Sequence, residues 1–107
     1  MKINNIEIKD YHKFKDKFKG LMFKKSINYG IRLRCNGIHT FFMKEHIDVI
    51  LTNKENKILY IIKNLKPNKI IFPKKNVYYT YELPINNIRN LKVGDIIKWH
   101  YKKCHFL

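Results

Sequence analysis

Ile47-Asp48-Val49-Ile50-Leu51-Thr52, then Asn53-Lys54-Glu55-Asn56-Lys57, then Ile58-Leu59-Tyr60-Ile61-Ile62-Lys63 is the stretch on which the fold turns. Two apolar, β-branched runs flank five polar residues, the pattern of adjacent antiparallel strands joined by a hairpin loop. Both runs are apolar nearly throughout instead of alternating. The expectation is a pair of central strands covered on both faces.

Working outward, Pro67 and Pro73 break the pattern over residues 64–76, and Ile70-Ile71-Phe72 between them is placed to make a short edge strand or to pin the loop onto the core. Val77-Tyr78-Tyr79-Thr80-Tyr81-Glu82-Leu83 is aromatic and β-branched and reads as a strand that Pro84 ends. One helical turn over 85–90 and a turn at Val93-Gly94-Asp95 lead to a last strand, Ile96 to Tyr101. On the other side, Thr40 to Lys44 reads as a strand, and Asn36-Gly37 is the strongest turn dipeptide in the chain. Ile31-Arg32-Leu33-Arg34-Cys35 alternates apolar and charged, as a half-buried strand does. Residues 3–8 give a weak strand, and Asp10 is placed to cap a helix. Tyr11, Phe14, Phe18, Leu21 and Met22 then recur at three- and four-residue steps, the period of an amphipathic helix. The fold expected over residues 1–107 is a small β-rich α+β single domain. It has about seven mostly antiparallel strands in a curled or partly closed sheet, with one N-terminal helix.

The 107 residues carry 23 Lys and Arg against 8 Asp and Glu, a formal charge of +15. All but three of the positive residues are Lys; Arg32, Arg34 and Arg89 are the exceptions, and Ala and Gln are absent. Lys, Asn and Ile are the residues that AT-rich codons encode, so base composition accounts for much of this charge. Phosphate or base recognition favours the bidentate fork of Arg. Non-specific binding of polyanions at low salt is expected whatever the biological role. No apolar run reaches the roughly 18–20 residues of a membrane-spanning helix, and the N-terminus has no apolar signal core. The expected location is cytoplasmic, with Cys35 and Cys104 as reduced thiols.

Four segments together resemble the bacterial and archaeal family called domain of unknown function 192. They are Gly20-Leu21-Met22-Phe23-Lys24, Cys35 to Lys44 with Ile47-Asp48-Val49, Glu82-Leu83-Pro84, and Leu91-Lys92-Val93-Gly94-Asp95. The resemblance runs from about Phe14 to Trp99, with the motifs in the family's order. Where relatives carry an aromatic residue and Pro ahead of Ile-Asp, this chain carries Glu45-His46, which loosens the turn and adds two ionisable side chains. The resemblance implies a small β-rich α+β fold and no settled activity.

The densest chemistry is Cys35, His39, Glu45, His46 and Asp48. A Cys/His pair with an orienting carboxylate is the arrangement that activates a thiolate. On strand alternation, however, His39 shares a face with Phe41 and Met43, where a core imidazole also sits. The five histidines lack the compact spacing of zinc sites. Glu82, among Tyr78, Tyr79 and Tyr81, calls for a partner, and an internal Arg or Lys is favoured over a ligand. The reading is a binding or accessory module with no catalytic residue, no cofactor and no metal. Its partner is an unidentified protein or small molecule, bound by His39, Thr40, Met43, Asp48 and Glu82 beside the basic 66–76 loop. The alternative is a nucleic-acid-binding module using Lys66, Lys69, Lys74, Lys75, Tyr78 and Trp99, since Lys interleaved with aromatic residues suits single strands.

Overall fold

The computed structural model describes residues 1–11 and 28–99. In chain order the strands are β1 Lys2–Ile3, β2 Ile6–Tyr11, β3 Gly30–Leu33, β4 Ile38–His39, β5 Ile47–Thr52, β6 Ile58–Leu65, β7 Ile70–Ile71 and β8 Tyr79–Pro84. Six form one sheet in the order β1-β2-β3-β8-β5-β6, and β4 pairs with β7 in a second, two-stranded sheet. Every pairing is antiparallel except β2 with β3. The result is a small, β-rich domain with a curled sheet.

The β5–β6 hairpin forms as its periodicity demands, with Ile50 opposite Ile61 and Leu51 opposite Tyr60. All six residues of β5 are buried, because β5 lies between β6 and β8 and carries a cluster on each face. β6 departs from the expectation of two central strands. It forms the sheet edge, and only Ile58 along it is fully buried.

Side chains in register across a sheet share a face, and here they divide into two cores. One holds Ile8, Ile50, Tyr79, Tyr81 and Leu83 with Ile58, Ile88 and Ile97. The other holds Ile31, Leu33, Ile47, Val49 and Leu51, and β4 and β7 close over it through Ile38 and Ile71 with Met43. Gly30 permits the close approach of β2 and β8. A Cβ there would stand 2.6 Å from Ile8 Cδ1 and 3.0 Å from the Glu82 carbonyl oxygen.

Several local expectations are corrected. Asp10 and Tyr11 end β2 instead of opening a helix, because Asp10 pairs with Arg32 and Tyr11 lies opposite Leu33. The remainder of the expected N-terminal helix, with Phe14, Phe18, Leu21 and Met22, lies outside the described residues. Thr40–Lys44 is a turn, not a strand. Residues 85–90 form turns without a helix, with Asn86 and Asn90 at positive φ. The described part of the expected last strand makes one isolated bridge, Ile96 to Lys57. Its neighbours Asp95 and Ile97 bond to the head of β6 and the preceding loop, at Ile58 and Asn56, and Asp95 closes a turn with Lys92.

Candidate functional site

The central segment and the basic loop are fastened to each other at two places. Asn36 donates from Nδ2 to the Lys74 carbonyl at 2.6 Å and accepts the Lys74 N–H at 2.8 Å. Gly37, at φ 99°, lies flat against Pro73; a Cβ there would stand 3.0 Å from the proline ring. The second fastening is Thr40, which is fully buried. Its hydroxyl donates to the Lys66 carbonyl and accepts the Lys69 N–H, each at 2.8 Å. Its backbone bonds to Lys69 and Asn68 as well. Between the two fastenings Ile38 pairs with Ile71 and His39 with Ile70.

Thr40→Val keeps the shape of this residue and removes both hydroxyl bonds. Two backbone groups of the loop are left without partners, at a cost of about 1–3 kcal/mol. The expected result is a lower urea midpoint together with faster hydrogen exchange at the Lys69 amide. Unchanged exchange there would show that the loop does not depend on the hydroxyl.

Met43 N–H donates to the Thr40 carbonyl at 3.2 Å, closing a turn with Phe41 and Phe42 at its tip. Phe42 has φ 64°, a left-handed conformation that a bulky side chain adopts only at a cost of order 1–3 kcal/mol. Its ring is nevertheless 61% exposed; Ile70, at 50%, and Phe72, at 71%, also show apolar surface. His39 is exposed as well; its ring stacks on Phe41 at 4.8 Å, and its Nδ1 accepts the Phe41 N–H. Asn36, Gly37, Ile38, His39, Phe41, Ile70, Ile71, Phe72 and Pro73 line an open groove of about 310 Å3. The loop from Lys66 to Asn76, whose residues 70–73 line it, carries four Lys and no Asp or Glu.

The residues singled out in the sequence do not all gather here. His39 is on the groove, while Thr40 and Met43 lie beneath it, in the clasp and in the core. This replaces the expected alternation, in which His39, Phe41 and Met43 shared one face: the turn after His39 leaves the imidazole outside and takes Met43 in. Asp48 is in register with Leu83 and so belongs to the opposite face of the main sheet. Its Oδ1 accepts the Asn64 N–H at 2.8 Å, where β6 makes a bulge, and His46 Nδ1 bonds the Asn64 side chain at 2.7 Å. Cys35 is half-buried and its carbonyl accepts the Thr80 hydroxyl.

Glu82 lies between Ile31 and Val49 on the face that β4 and β7 cover. The internal Arg or Lys favoured for it is not there among the described residues, since Arg32 points to the other face. Burial pushes its carboxyl from 4.5 up to about 7. Of the alternative set, Lys66, Lys69 and Lys75 are exposed around the loop, and Lys74 Nζ lies 5.3 Å from the centre of the Tyr60 ring. Tyr78 lines a different depression with Lys54 and Lys57. Trp99 is occupied elsewhere, against Arg32.

Arg32 is the residue that sequence reasoning missed. Alternation in Ile31–Cys35 turned it outward, yet it has no exposed surface. Its Nε and Nη2 donate to the two carboxylate oxygens of Asp10, each at 3.0 Å, and Nη1 donates to Asn56 Oδ1. The guanidinium lies 3.7 Å from the centre of the Trp99 ring and 4.1 Å from that of Tyr79. Tyr81 donates its hydroxyl to the same Asn56 oxygen, and burial holds its phenol above its usual range. This is a closed structural cage. The scarcity of Arg in so Lys-rich a chain was the available signal, because only the planar fork can chelate a carboxylate and stack on rings together.

Residues 1–99 match the model of the family described as uncharacterized ACR, domain of unknown function 192. The chain belongs to that family. Members similar to it include a UPF0127 protein of Thermococcus kodakarensis, 36% identical over 95 residues, 80% of this chain and 60% of that protein. A UPF0127 protein of Pyrococcus furiosus is 35% identical over 103 residues, covering 89% of this chain and 88% of the relative. The chain thus spans about three-fifths of the length of the Thermococcus kodakarensis protein. Two solved structures share the fold of this domain-of-unknown-function-192 chain. A Novosphingobium aromaticivorans protein of unknown function has a TM-score of 0.77 at 15% identity, covering 88% of this chain and 75% of that one. A Sinorhizobium meliloti protein, provisionally titled a transcription regulator, has a TM-score of 0.68 at 16% identity, with 81% and 74% covered. Among the described residues no helix is long and apolar enough to cross a membrane.

Proposed function

We propose that this family member is a binding or accessory module without catalysis, and that its recognition surface is the β4–β7 clasp with the turn that follows β4. One observation carries the reading: Phe41, Ile70 and Phe72 present apolar surface on one groove, at a strand pair pinned from both ends and bordered by a lysine-bearing loop. A contiguous apolar patch with a polar rim marks an interaction site more often than a bare surface. His39 lies on the same surface and stacks on Phe41, the position of a contact residue.

An anionic aromatic dye, anilinonaphthalene sulfonate, tests this surface. It is expected to bind the folded protein at the groove. Binding should fall at least fivefold in an Ile70→Ser, Phe72→Ser double variant whose melting temperature is within a few degrees of the parent. Equal dye binding by both proteins would remove the surface from consideration.

The exposure of Phe72 between Lys69 and Lys74-Lys75 favours a second reading, single-strand nucleic-acid binding through a narrower set than the sequence pointed to. Oligothymidine affinity that depends on Phe72 as well as on salt would favour it.

A further inference from the structure

Building on the proposed recognition surface, we infer that the groove takes a short extended segment of another protein, one in which a bulky apolar side chain is flanked by Asp and Glu. The groove floor and walls are Ile38, Ile70, Ile71, Phe72 and Pro73, which offer apolar contact and no side-chain hydrogen bonds. The polar side chains on its lining are Asn36 and His39. Asn36 uses its oxygen and its nitrogen on Lys74, and His39 Nδ1 is taken by the Phe41 N–H. A nucleobase placed here would lose water from its polar edges and regain at most the bonds that His39 Nε2 and the second Asn36 amide hydrogen can make, whereas an apolar side chain loses nothing of that kind.

The charge around the groove selects what lies on either side of that anchor. From Lys66 to Asn76 the loop carries four cations, Lys66, Lys69, Lys74 and Lys75, and no acid, so a partner continuing past the groove meets positive potential from the loop. Acidic residues complement it, and basic ones are repelled.

The turn after β4 presents an exposed ring in a backbone conformation that Asn fills elsewhere. Nine non-glycine described residues have positive φ; eight are Asn and the ninth is Phe42. Asn adopts this conformation readily, and the chain uses it everywhere else. Phe42 places an aromatic side chain at the tip of this turn, where Asn would not.

The test is selection from a displayed library of random decapeptides against the full chain. It is run beside an Ile70→Asp, Phe72→Asp variant; both positions are exposed, so the variant keeps its fold, which its melting curve verifies. The expected outcome is enrichment of peptides with one Leu, Ile, Phe or Trp between Asp or Glu residues. Their affinity should fall at least tenfold in the variant and at least tenfold when the anchor is replaced by Ser at unchanged charge. Enriched peptides without acids, or indifferent to the anchor, would overturn the inference. Oligothymidine that shifts the amide resonances of Ile70 to Phe72 while no such peptide is enriched would overturn the partner class and leave the surface standing. If neither probe involves the groove residues, the proposed surface itself fails.

Discussion

Arg32→Ala should lower the unfolding free energy by about 3–5 kcal/mol, the cost of breaking a buried ion pair by removing one partner. Asp10 then keeps a partly buried carboxylate with nothing to neutralise it, Asn56 loses a donor, and the rings of Tyr79 and Trp99 lose the plane between them. Most domains have only about 5–15 kcal/mol in total, so this single change consumes a large part of the whole. Arg32→Lys should restore little, because an ammonium cannot make two parallel bonds to Asp10 while lying flat on a ring. Urea unfolding followed by Trp99 fluorescence measures both variants. A loss below 1 kcal/mol for the alanine would show that the cage does not hold β2 to β3.

Glu82 gives the second large effect, with the opposite chemistry. Its carboxyl titrates at about 7 in the folded chain against an ordinary value of 4.5, so the folded state holds a proton that the unfolded state releases. The stability this group contributes is therefore complete below about pH 4.5 and falls as pH rises, until it is lost above about pH 7. At 1.36 kcal/mol per pH unit the loss across that window is roughly 3 kcal/mol. Glu82→Gln removes the ionisation. The difference between wild-type and variant stability should change by that amount between pH 4 and pH 8, in favour of the variant at the higher pH. A constant difference would mean that the carboxylate finds a compensating partner when it ionises.

The two residues show where reading a chain succeeds and where it stops. The β5–β6 hairpin, the strand ending at Pro84 and the short strand between Pro67 and Pro73 were legible because each depends on local properties: β-branched runs, polar breaks and the missing N–H of proline. Thr40 and Asp48 stood out as unusual residues, and both prove to hold backbone, one at the 66–69 loop and the other at the β6 bulge. Their chemistry was visible; its target was not, because each bonds to a segment at least 16 residues away in sequence.

By itself, the amino-acid sequence determined that this chain makes a small β-rich domain with the β5–β6 hairpin and a basic, proline-bounded loop after it. Periodicity and turn chemistry act over a few residues, so they survive without knowledge of neighbours. Only the tertiary structure decided which charges went inside and which aromatics stayed out. Arg32 alternates like a solvent-facing residue and is buried because Asp10, Asn56, Tyr79 and Trp99 meet it there. Phe42 reads as a strand residue and is exposed because the chain turns at Thr40 to clasp a loop more than 25 residues downstream. Burial is a property of the assembled neighbours, and no local pattern contains it.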